Sequence, residues 1–140
     1  MGKTLPRGLR NNNPLNIKKG SSWIGERLDQ SDKTFEEFID IIFGLRAGFC
    51  LLNKYINVAG CNTIEKIISR WAPSTENATQ KYIDYVSKRI DIPARQVLYF
   101  TEEEIMVKLV RAMCFVECGC EISEDLIRSA YWVSRVMFLI

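Results

Sequence analysis

The sequence predicts a mainly α single domain with five or so helices and at most a small β-hairpin near the N-terminus. Three observations predict it. A chain of 140 residues with 47% hydrophobic content suits one folded unit with one core, so residues 1–140 read as one domain without a linker or repeat. From residue 39 onward, apolar side chains recur at three- and four-residue steps. Helix-starting and helix-stopping residues bracket those runs.

Residues 1–22 are rich in Gly, Asn, Lys, Ser and Pro and read as an ordered loop or an arm. Asn11, Asn12, Asn13 and Pro14 form a turn cluster, because Asn side chains imitate backbone turns and Pro fixes its own φ. The bulky residues Trp23, Phe35 and Phe38 in a polar stretch place any hairpin between 17 and 38. Ile42, Leu45, Phe49, Leu52 and Ile56 predict a helix over 39–57, in which Gly44 and Gly48 permit close packing. Thr63 caps a second helix through Trp71, stopped by Pro73. Tyr82, Ile83, Val86 and Ile90 share one face of a third, 79–90. Thr101 to Glu104 reads as a capping box opening a fourth helix, 101–118, with Ile105, Leu109, Val110, Met113 and Val116 inward. Ser123 caps the last, 123–138. The apolar end, 133–140, is a packed helix terminus or a self-association surface.

Composition narrows the chemistry. The chain has no histidine, so Ser-His-Asp and Cys-His arrangements are excluded, as are zinc sites that need imidazole. Carboxylates, thiols, Lys, Tyr and backbone groups remain. Cys50, Cys61, Cys114, Cys118 and Cys120 make an odd set, read as reduced thiols; small buried thiols are favoured over a metal site, and no cofactor is expected. Net charge is +2, too balanced to argue for a nucleic-acid partner. No stretch approaches the ~18 apolar residues of a membrane span. Met1 to Arg10 lacks the apolar run of an export signal, so the expectation is synthesis in a bacterial cytoplasm with delivery by another factor.

Four stretches, in order, carry a resemblance. They are Arg7-Gly8-Leu9-Arg10-Asn11-Asn12-Asn13-Pro14-Leu15-Asn16-Ile17; Trp23-Ile24-Gly25; Phe43-Gly44-Leu45-Arg46-Ala47; and Trp71-Ala72-Pro73-Ser74-Thr75-Glu76-Asn77-Ala78-Thr79 with Tyr82 and Val86. Together they resemble phage and prophage proteins described as virion structural proteins or muramidases. The resemblance implies a lysozyme-like fold, possible circular permutation of its order, and cleavage of the glycan strand of peptidoglycan by a muramidase or lytic transglycosylase. It leaves open a non-catalytic virion or wall-binding protein that keeps a degenerate groove. Expected partners are peptidoglycan and other virion proteins. Two departures stand out. Leu15 occupies a position where the family usually has Gly, and Glu117-Cys118-Gly119 stands where the family's helix tends to end Glu-Asn-Gly.

Glycoside cleavage needs a carboxylic acid that keeps its proton near neutrality. Glu117 lies near the end of an apolar helix, where carbonyl dipoles and desolvation both favour the neutral acid. Glu26 is the rival, although its neighbours Arg27, Asp29 and Asp32 are polar. Glu76, before the third helix, suits a cap or an auxiliary role more than an acid. Asn11, Asn12, Asn13 and Asn16 offer amides to a sugar, or satisfy their own loop. Asn77 belongs to the same candidate binding set, Trp23 and Trp71 either stack on sugars or anchor the core, and the Tyr82 hydroxyl is expected to reach the groove.

Overall fold

The computed structural model describes residues 5–137, and among these it contains six α-helices and no β-strand. They are α1 (Arg7–Arg10), α2 (Ile41–Asn57), α3 (Ile64–Trp71), α4 (Glu76–Ile90), α5 (Glu103–Cys118) and α6 (Glu124–Val136). The five longer helices close a ring: α2 packs on α6, α6 on α5, α5 on α4, α4 on α3, and α3 on α2. The short α1 docks on α5.

Local chemistry explains most boundaries. The Asp40 carboxylate accepts from the Ile42 amide at 2.9 Å and starts α2. Thr63 and Ser123 start α3 and α6, accepting from the amides of Lys66 and Leu126. Asp91 and Gly119, both left-handed, end α4 and α5. Two expected starts need correction. Helix α4 opens at Glu76, not Thr79, because Thr75 caps it by accepting from the Ala78 amide at 3.2 Å. Its first turn is exposed, so apolar periodicity is silent there. The capping box at Thr101 does not form. Glu102 turns back instead and accepts from the Tyr99 amide at 3.1 Å. Helix α6 ends at Val136 with Met137 as its C-cap; residues 138–140 of the expected apolar end lie outside the described residues.

The N-terminal segment is not an arm. Leu15 is fully buried and Pro14 and Ile17 are buried beside it. The segment lies on α2 because two glycines let it. A Cβ at Gly44 would meet the Asn12 carbonyl oxygen at 2.0 Å, and one at Gly48 would meet the Leu15 side chain at 2.3 Å. Leu15 thus fills space that Gly48 leaves. The expected hairpin reduces to two isolated antiparallel bridges, Lys18 with Phe35 and Glu26 with Phe38.

The core is continuous from Leu15 to Tyr131. At its centre Phe49, Phe100 and Tyr131 pack ring against ring, and the Tyr131 hydroxyl donates to the Phe100 carbonyl at 2.8 Å. Val116 departs from its expected inward place and is exposed. It sits on the last turn of α5 beside a groove.

Candidate active site

The groove, about 440 Å³, is lined by Ala72, Ser74, Thr79, Tyr82, Tyr85 and Glu117 among others. Two stretches far apart in sequence build it: the loop before α4 with one face of α4, and the end of α5.

Glu117 sits at the penultimate position of α5, half-buried. Its Oε2 accepts from the Tyr82 hydroxyl at 3.1 Å. Asn16 Nδ2 donates to the Glu117 carbonyl at 3.0 Å and lies 3.4 Å from its Oε1. Burial raises the Glu117 pKa above the ordinary carboxylate value, and this outweighs the hydrogen bonds from Tyr82 and Asn16 and the charge of Lys18, all of which lower it. The same contact, with burial as the main cause, pushes the Tyr82 phenol far up, so it stays a neutral donor.

Asn16 reaches Glu117 because its backbone is left-handed, at φ 52°, a conformation that Asn tolerates better than most side chains. Its Oδ1 is buried with no hydrogen-bond donor. Asn16 also lies against Gly8 of α1: a Cβ at Gly8 would approach its Oδ1 at 3.2 Å and the Cys118 Cβ at 3.1 Å. Helix α1 therefore backs the end of α5.

The amides of the other Asn residues of the loop bond within the fold, in line with the second of their two expected readings. Asn13 is 0% exposed; its Nδ2 donates to the carbonyls of Ile17 and Glu36 at 2.9 and 3.0 Å, and its Oδ1 accepts from the Ile17 amide at 2.9 Å. Asn12 donates to the Phe38 carbonyl at 3.1 Å, and Asn11 to Asp32 at 3.0 Å. Trp23 is 7% exposed and belongs to the core, not to a sugar platform. Trp71 is half-buried behind the loop. Its Nε1 donates to the Leu15 carbonyl at 3.4 Å and its ring meets Tyr55 edge to face. Asn77 is exposed on the first turn of α4. Glu76 is exposed at the first position of that helix and is not its cap. Thr79 lines the groove, its hydroxyl donating to the Ala72 carbonyl at 3.1 Å.

Glu26, the rival acid, is not among the residues lining the groove. Its carboxylate accepts from the Trp23 amide at 3.2 Å and faces Glu36. Sequence reading passed over Glu36, which is only 4% exposed. Burial, the Glu26 carboxyl beside it and, in the opposite sense, Lys19 leave its pKa pushed up to about 7. Adjacent Glu37 behaves oppositely. Burial would raise it, but the amides of Asp32 and Ser31, the Ser31 hydroxyl and Arg27 bring it below its ordinary value. The one available signal was the run Phe35-Glu36-Glu37-Phe38, in which apolar residues flank two carboxylates.

All five cysteines are free thiols, with Cys114 and Cys118 buried and the other three partly exposed. Among the described residues no group of three or more His, Cys, Asp or Glu side chains is arranged to hold a metal. No described helix is long and apolar enough to cross a membrane.

No protein-family model matches the sequence. The chain is similar to Protein P5 of Pseudoalteromonas phage PM2, at 45% identity over 117 residues, covering 81% of this chain and 71% of that protein. At that identity and coverage, the chain belongs to the family of this phage protein.

Proposed function

We propose that the protein cleaves the glycan strand of peptidoglycan by general acid catalysis, with Glu117 as the acid, on a lysozyme-like helical scaffold of permuted order. The observation that carries this reading is a half-buried carboxyl with a raised pKa, held by a tyrosine hydroxyl and an asparagine amide at the wall of an open groove. A neutral Glu117 gives its proton to the glycosidic oxygen as the C1–O bond breaks, and the sugar left behind carries oxocarbenium character. Tyr82 fixes the carboxyl rotamer from one side and Asn16 from the other. Glu117 is the one carboxylate among the described groove-lining residues. That favours the transglycosylase form, in which a hydroxyl of the substrate itself captures C1, over a hydrolase that needs a second carboxylate to activate water.

Kinship with a phage protein supports a role in the virion or at the host wall. Incubating the purified protein with peptidoglycan and weighing the released muropeptides tests the proposal, because anhydro ends mark the transglycosylase and reducing ends the hydrolase. A protein that binds intact walls but releases nothing across pH 4–8 is a wall-binding virion component instead.

A further inference from the structure

The motif Cys118-Gly119-Cys120 takes no part in the proposed reaction, yet it follows Glu117 directly. Gly119 is left-handed, at φ 74°, and folds the chain back at the end of α5. As a result the Cys118 Sγ lies 4.0 Å from the Cys120 carbonyl oxygen, so the turn brings the two residues together. The two differ in access. Cys118 is 7% exposed and faces Gly8 of α1, whereas Cys120 is partly exposed on the connection to α6. Cys114, one turn back on α5, is fully buried.

We propose that Cys118 and Cys120 are a redox-active dithiol that closes to an intrachain disulfide by exchange with a small-molecule disulfide such as oxidised glutathione, clamping the turn that carries Glu117. The accessible Cys120 attacks first as its thiolate and expels one glutathione thiolate, leaving a mixed disulfide. Cys118 then attacks the Cys120 sulfur and expels the second. The two cysteines lose two electrons and two protons, and two molecules of reduced glutathione carry both away. Cys120 moves to close the ring, since it sits in a connection while Cys118 is held by the helix and by α1. Glutathione cannot reach Cys114, so of the three cysteines at this end of α5 only the outer pair exchanges.

The test uses the full chain, native, in oxidised glutathione, followed by alkylation of free thiols and cleavage after glutamate. Glu117 and Glu121 flank the pair, so one fragment holds Cys118 and Cys120 without Cys114. The expected fragment is two hydrogens lighter than the dithiol and resists alkylation. Cys118→Ser should stop at a glutathione adduct on Cys120, and Cys120→Ser should leave Cys118 unmodified. Amide exchange at Glu117 and Cys118 should slow on oxidation. A wild-type fragment that stays a dithiol while Cys50 or Cys61 reacts, or that ends as a glutathione adduct, overturns the proposal. Amide exchange that is unchanged or faster in the disulfide form overturns the clamp.

Discussion

Glu117 and Asn13 show how similar loop and helix-end positions serve different ends. Replacing Glu117 with Gln keeps the shape and the contact with Tyr82 but removes the proton, so cleavage should fall by about 10²–10⁴-fold while the protein stays folded. Tyr82→Phe deletes a hydrogen bond that lowers the Glu117 pKa. Its carboxyl, followed by NMR with pH, should therefore titrate higher than in the wild type; an unchanged or lower value would show that the contact does not act on the acid. Asn13→Ala strands the Ile17 amide and the Glu36 carbonyl in the core, while the Ile17 carbonyl keeps the Glu36 amide, and should cost on the order of 3 kcal/mol in a denaturant titration. The half-buried place of Glu117 at a groove was legible because a carboxylate at the end of an apolar helix is unusual. The division of labour in the Asn loop was not. An amide reaching Glu117 and an amide closing its own turn have the same residue type, and only the partners met on folding, Glu117 for Asn16 and the Ile17 and Glu36 backbone for Asn13, decide which is which. Glu36 was illegible for a similar reason, since its partner Glu26 stands ten residues away across a loop without regular pairing.

At the scale of elements, the seam between the N-terminal loop and α2 is the joint on which the site depends. Gly44→Ala puts a methyl into the Asn12 carbonyl, a backbone atom that cannot step aside, and should destabilise the fold despite the better helix propensity of Ala. Gly48 and Leu15 should couple. Leu15→Ala alone leaves a cavity and should cost about 2–5 kcal/mol. Gly48→Ala alone collides with Leu15, but in the Leu15→Ala background its methyl enters the vacated space. A double-mutant cycle by chemical denaturation should therefore give a favourable coupling energy, and strict additivity would contradict the packing. Thr75→Ala should cost ~1 kcal/mol as a lost cap, whereas Glu76→Gln should be nearly silent. The helices themselves were readable from periodicity and caps wherever a face is buried, as in α2, α3 and α6. They were misread where the deciding turn is exposed, as at Thr75, or where a side chain of the right type turns elsewhere, as Glu102 does.

For the molecule as a whole, the carboxylates set opposing pH dependences. The folded pKa of Glu36, about 7, lies above its ordinary 4.5, so its contribution to stability is complete below 4.5 and is lost as pH rises through 7. Glu117 acts in the same direction. Asp32, paired with Arg7 and further hydrogen-bonded, lies far below the ordinary carboxylate range, and Glu37 lies below it too; their contributions are present above that range and are lost on acidification. The melting temperature should therefore decline from mildly acidic to neutral pH, and Glu36→Gln should flatten that decline. A wild-type curve rising steadily to pH 7 would contradict the buried pair. The resemblance read from the sequence rests on motifs along the first two thirds of the chain, while Glu117 lies in the last third and meets Asn16 and Tyr82 only after folding.

The most direct test of the central claim is mass analysis of muropeptides released from purified peptidoglycan by the wild-type protein and by Glu117→Gln, side by side. The account predicts cleaved glycan strands, with anhydro ends, from the wild type and none above background from the variant. Equal release by both, or release lost in Glu26→Gln but kept in Glu117→Gln, would contradict it.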